Sequence, residues 1–190
     1  MEKKMLKICD KVESANYIYQ LDLNRLPEAI FTPQMQEEVE TFLNRYPAKY
    51  YSIRDKTQTN SPKRNHKASK EDILKIYKDI PISSIGVGLA NYIEDQVLIG
   101  NLVVRKNGDI FFEGTDEKIV SARDAVNQAK YRMQTDITDK KLKYRNGLIE
   151  AIDYILEHHL EEVIVEFSSF SKPIGIHQEK VLIWELRTNY

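Results

Sequence analysis

Cysteine is nearly absent: Cys9 is the only one in 190 residues, which excludes an internal disulfide and a cysteine-rich metal site and suits a reducing compartment. With no basic partner beyond flexible lysines, Cys9 reads as an inert thiol, not a nucleophile. Long hydrophobic runs are missing as well. No stretch approaches the ~20 apolar residues needed to span a bilayer, and Met1 to Lys11 mixes charged with apolar residues instead of forming an apolar secretory core. These absences make the cytoplasm the expected location and exclude a membrane partner. An excess of one charge is also lacking: 28 Lys and Arg against 29 Asp and Glu leave a formal net charge of −1, so no global field would hold DNA or an anionic membrane.

What is present is ordinary for a globular chain, with 42% apolar and 30% charged residues, and residues 1–190 suit a single domain with a real core. Residues 12–23 alternate, with Tyr17, Tyr19, Leu21 and Leu23 at period two, and predict a strand. Thr32-Pro33 predicts a helix start, with Val39, Phe42 and Leu43 continuing at helical spacing to a stop near Arg45 before Pro47. Lys49 to Lys56 is a strand candidate. The polar, basic stretch from Thr57 to Ser69 has no apolar periodicity and predicts a mobile loop over 56–69.

Ser69-Lys70-Glu71-Asp72 has the form of a capping box, and Ile73, Leu74, Ile76 and Tyr77 give the following helix an apolar face until Pro81. Strands are expected over Ser84–Leu89, Gln96–Arg105 and Asp109–Glu113, the last two joined by a turn at Asn107-Gly108. Helices are expected over Ser121–Met133 and from Leu148 to about Leu160, separated by a charged connector. Two apolar runs close the chain, Val163 to Phe167 and Val181 to Tyr190. The order of elements argues for an α+β fold on a mixed, largely antiparallel sheet with helices packed on it.

Each closing run carries a carboxylate that a core alone does not require. Paired antiparallel, Glu166 and Glu185 could project from one face of the sheet. Two oxygen ligands on rigid strands would leave open positions for water and phosphate oxygens, as suits Mg²⁺ at a nucleotide site. Arg187 would offer a phosphate its two-pronged guanidinium. The same residues also fit the solvent face of a hairpin, where alternation places polar side chains anyway. His158 and His159 are adjacent and diverge on a helix, His66 and His177 fall in expected loops, and Gly86-Val87-Gly88 is too little for a phosphate loop.

Glu166-Phe167 followed by Glu185-Leu186-Arg187 resembles the closing strands of the ATP-grasp nucleotide-binding domain, in particular the form in pyruvate phosphate dikinase and phosphoenolpyruvate synthase. Tyr51-Ser52-Ile53-Arg54-Asp55 is similar to that family's phosphate-contacting strand, and Asn91 to Gly108 to its central sheet. The resemblance implies an ATP-grasp-like fold binding ATP and Mg²⁺, with Glu166 and Glu185 on the metal and Arg54 and Arg187 on the nucleotide. Asp55-Lys56 stands where the family has small serines, and no N-terminal glycine-lysine segment is present, so catalysis is left open.

Two other readings stay open at this stage. Lys56, Lys63, Arg64, His66, Lys67 and Lys70, flanked by Tyr50 and Tyr51, could serve a single-stranded nucleic-acid-binding module over 49–70. The C-terminal hairpin could instead be the edge of a non-catalytic interaction protein that forms a homodimer.

Overall fold

The computed structural model describes residues 11–57, 64–105, 109–120, 129, 131–135 and 162–188. The chain forms two compact units, Met1–Arg25 with Glu94–Tyr190, and Leu26–Ile93. Both are built on antiparallel sheets with helices, an α+β fold.

The Leu26–Ile93 unit contains β1 (Glu28–Phe31), α2 (Gln36–Arg45), β2 (Tyr51–Asp55), β3 (Arg64–Ala68), α3 (Lys70–Ile76) and β4 (Ser83–Val87), with strands in the order β1-β4-β2-β3. Val39, Phe42 and Leu43 of α2 and Ile73 of α3 join Phe31, Tyr51, Ile53 and Ile85 in its core. The capping box forms as the sequence predicts: Ser69 Oγ accepts from the Asp72 amide at 3.1 Å, and Asp72 accepts from the Ser69 amide at 3.0 Å. Thr32-Pro33 makes a turn instead of a cap, with the Met35 amide bonded to the Thr32 carbonyl, and α2 begins three residues after Pro33 at Gln36. Within the expected loop, Arg64–Ala68 is a strand, because its backbone pairs with β2 despite its polar side chains.

The second unit contains α1 (Lys11–Gln20), β5 (Gln96–Arg105), β6 (Ile110–Thr115), β7 (Tyr131–Thr135), β8 (Glu162–Ile174) and β9 (Glu179–Thr188), with strands in the order β7-β6-β5-β8-β9. Residues 11–20 are helical, not the predicted strand. Ser14, Tyr17, Ile18 and Leu21 also lie at i, i+3, i+4 and i+7, and this helical stripe packs against the sheet, with Ser14 and Ile18 buried and Tyr17 and Leu21 on the core cluster. Tyr131–Thr135 is likewise a strand on the edge of β6, where helix was expected to run to Met133. The expected turn at Asn107-Gly108, the helical reading over 121–128 and the helix from Leu148 to Leu160 fall outside the described residues.

One face of this sheet is apolar: Leu102, Phe112, Val165, Phe167 and Leu186 pack with Ile18 and Leu23. Gly100 and Gly114 are paired on that face, where a side chain on Gly100 would come within 2.3 Å of the Glu113 carbonyl. The β8–β9 hairpin is longer than the two apolar runs suggest, reaching Ile174 before the turn at 175–178. It is held there by Asn24. The Asn24 Nδ2 donates to the Ile174 and Val181 carbonyls at 3.0 and 2.7 Å, and Oδ1 accepts from the His177 amide at 3.0 Å.

A polar row on the five-stranded sheet as candidate site

The opposite face of the five-stranded sheet carries the candidate site. Direct cross-strand partners share a face, and the register lines up Glu185, Glu166, Asn101 and Glu113 on β9, β8, β5 and β6, with Arg132 next in line on β7. Beside this polar row runs a second, Arg187, Ile164, Val103 and Phe111. On the other side lie Leu182, Ser168, Ile99 and Thr115, all buried. The carboxylates therefore sit at the border between a buried end of the face and an open one, where Phe111 is 44% exposed.

A β-bulge makes this arrangement possible. Glu166 pairs with Glu185 but Phe167 pairs with Ile183, leaving Trp184 as an extra residue on β9. Without it, strict alternation would put Ile183 on the carboxylate face with Glu185. With it, Val181, Ile183 and Leu186 all reach the core. The Trp184 indole donates to Ser168 Oγ at 2.8 Å.

Arg187 ties the acids together. Its Nη2 donates to Glu166 Oε1 at 2.7 Å, and its Nε lies 3.3 Å from Glu185 Oε1, an ionic contact without hydrogen-bond geometry. The side chains of Glu185, Glu166 and Arg187 are 11%, 19% and 41% exposed, so the guanidinium is the outermost member. Two carboxylates and one guanidinium leave one net negative charge. The structure thus brings three of the four sequence-predicted site residues into contact. Arg54 belongs to the other unit, on β2, where it is half-buried and pairs with Ser84 and Arg64.

Sequence reasoning missed Asn101, whose Oδ1 is buried without a hydrogen-bond partner. It stands in the apolar strand Val97 to Val104, where a lone amide is the only signal. Asn24, within Leu23-Asn24-Arg25-Leu26, was missed for the same reason. Tyr51, expected as a stacking platform, is buried, its hydroxyl bonded to the Tyr46 carbonyl and the Ala48 amide, each at 3.0 Å. It is therefore unavailable to a base. The outer edge of β9 is engaged within the chain: Ser14 Oγ accepts from the Leu186 amide and the Asn24 carbonyl from that of Ile183. Among the described residues, no helix is long and apolar enough to cross a membrane.

No family model matches the sequence, and no curated protein does. Solved structures do. D-alanyl-alanine synthetase A from Vibrio cholerae O1 biovar eltor str. N16961 is similar over 94% of this chain and 54% of its own, at 11% identity and a TM-score of 0.53. A RiPP-associated ATP-grasp ligase from Chryseobacterium gregarium, solved with ADP and a leader and core peptide, matches over 93% and 51%, at 11% identity and a TM-score of 0.52. D-alanine-D-alanine ligase from Helicobacter pylori matches over 94% and 53%, at 14% identity and a TM-score of 0.50. The fold is ATP-grasp-like. This chain spans about half the length of each of these structures, and at such identities the likeness concerns fold alone.

Proposed function

We propose that the protein binds ATP with Mg²⁺ at the Glu185–Glu166 end of the polar row, in the manner of the ATP-grasp domain of pyruvate phosphate dikinase and phosphoenolpyruvate synthase. One observation carries this reading: two acids are direct cross-strand partners, bridged by an arginine. The donor set fits the ion. Both carboxylates offer the hard oxygens that such an ion takes. Mg²⁺ is commonly held by one or two carboxylates, with phosphate oxygens and water completing its shell.

The chain's own residues divide the work. Glu166 and Glu185 would hold the cation, and Arg187, the outermost member, would supply positive charge and guanidinium donors to the phosphates.

The test is thermal. At a ligand concentration 100 times Kd, binding adds about 2.7 kcal/mol of stability, or roughly 5–11 °C in Tm for a chain of 190 residues. ATP with Mg²⁺ gives this shift in the wild type, Glu185→Ala removes it, and Arg187→Lys does not preserve it because the fork is lost. No shift at millimolar ATP with Mg²⁺ overturns the reading.

A further inference from the structure

Arg187 lies over the two acids it pairs with. Side-chain exposure rises from Glu185 at 11% through Glu166 at 19% to Arg187 at 41%, so an ion arriving from solvent meets the guanidinium before either carboxylate. The guanidinium is poorly seated there. Its Nη2 donates to Glu166 Oε1 at 2.7 Å, but its Nε, 3.3 Å from Glu185 Oε1, is buried without a hydrogen-bond partner. A two-pronged arginine–carboxylate pair satisfies two donors at once; this one leaves a buried N–H unsatisfied, which is costly. The next residues of its row, Ile164, Val103 and Phe111, have apolar side chains and offer the guanidinium no other acceptor. A partly exposed pair of this kind contributes little to stability, so it can be exchanged.

We propose that Arg187 is an autoinhibitory counter-ion: in the unliganded chain it blocks Glu166 and Glu185 against free divalent cations, and it releases them when a nucleotide brings phosphates for it to hold. This inference rests on the cation reading given under Proposed function. A cation that displaces Arg187 without nucleotide leaves the guanidinium unpaired beside a dication, where like charges repel. With ATP present the exchange balances. The carboxylates pass from the guanidinium to the cation, and the guanidinium passes from the carboxylates to phosphate oxygens, which suit its planar fork. The site therefore selects the cation–nucleotide complex over the bare ion, and each of the two ligands tightens the other by the same factor.

The experiment measures two affinities of the full chain by calorimetry, for Mn²⁺ alone and for ATP with Mg²⁺, with the ligand-free Tm of each variant as the folding control. Arg187→Met removes the charge and keeps an apolar stem; it is expected to tighten Mn²⁺ binding about tenfold and to weaken ATP with Mg²⁺ about tenfold, opposite signs from one substitution. Arg187→Lys retains the charge and is expected to hold Mn²⁺ affinity within about twofold of the wild type. Arg187→Gln takes the place of the methionine variant if that one does not fold. An arginine that merely anchors the two acids would, on removal, weaken both ligands. Mn²⁺ affinity that falls or stays unchanged in Arg187→Met, with binding lost in Glu166→Gln and Glu185→Gln, overturns the counter-ion role and leaves the two-carboxylate reading standing. Tighter Mn²⁺ binding with unchanged affinity for ATP with Mg²⁺ overturns the release to phosphate. Mn²⁺ that binds neither the wild type nor Arg187→Met, or that binds regardless of Glu166→Gln and Glu185→Gln, overturns both the counter-ion role and the cation reading.

Discussion

Glu166 stands directly opposite Glu185 across β8 and β9, yet the two acids are not equivalent. Arg187 makes a 2.7 Å charge-assisted hydrogen bond to Glu166 and only an ionic contact to Glu185. Without ligand, Glu166→Gln is therefore expected to lose more of its coupling to Arg187 than Glu185→Gln, about 1 kcal/mol, small because the guanidinium is partly exposed. Double-mutant cycles of each acid with Arg187→Ala, read by urea denaturation, check the order. A stronger coupling of Arg187 to Glu185 than to Glu166 would contradict it.

The turn that aligns these strands depends on Asn24. Its side chain satisfies three backbone groups of the β8–β9 hairpin, and Asn24→Ala would leave buried polar groups without partners. At about 1 kcal/mol for each lost bond, a loss of roughly 2–4 kcal/mol in chemical denaturation is expected. Gly175 adds a second demand, since it sits at φ +82 and a side chain there would come within 2.4 Å of Asn24 Oδ1. Gly175→Ala should thus be destabilising on its own and somewhat less than additive with Asn24→Ala, because only the Asn24 contact is shared while the positive φ and the close approaches to Leu182 and the Arg25 carbonyl persist. Additive losses in that double mutant would contradict the shared clamp.

Acid should loosen this unit through Asp95. Hydrogen bonds from Lys172 and Ser171 on β8 hold the Asp95 carboxyl below its ordinary value of 3.8. Because the folded pKa is the lower one, the unfolded chain takes up this proton first as pH falls. The contribution is complete above about pH 4 and disappears as pH drops through the folded pKa. Asp72, held low by its bonds to Ser69, acts in the same direction in the other unit. Urea midpoints at pH 7 and pH 3 should differ less for Asp95→Asn than for the wild type. An identical drop in both would remove Asp95 from the acid response.

The sequence patterns that worked were those whose physics is local or strictly periodic. Ser69 and Asp72 form their capping box within four residues, and the β5–β6 pairing follows from two strand-like runs separated by the Asn107-Gly108 turn signal. Residues 12–23 defeated the same logic because Tyr17, Leu21 and their neighbours satisfy both period two and a helical stripe, and only packing against the sheet decides between them. Tyr131–Thr135 and Arg64–Ala68 are strands through pairing with a neighbour, which no local propensity records. In the candidate site, the two acids and Arg187 were legible as polar residues interrupting apolar runs. Their register was not, because it depends on a bulge at Trp184 that shifts the strand's faces.

That bulge also supplies a direct readout. Trp184 is the only tryptophan in the chain, it immediately precedes Glu185, and its indole donates to Ser168 Oγ at 2.8 Å. A ligand that engages Glu185 pulls on the backbone of the bulged residue and places charge near the indole, whose emission responds to local field and hydrogen bonding. Titration with ATP and Mg²⁺ should therefore change intrinsic fluorescence with the same midpoint as the thermal shift. Glu185→Ala should abolish both signals. Ser168→Ala removes the indole's acceptor without touching Glu185, and should alter the starting emission while leaving the midpoint in place. If ATP with Mg²⁺ raises Tm but leaves Trp184 emission unchanged, the nucleotide binds away from the bulge and the assignment to Glu185 fails.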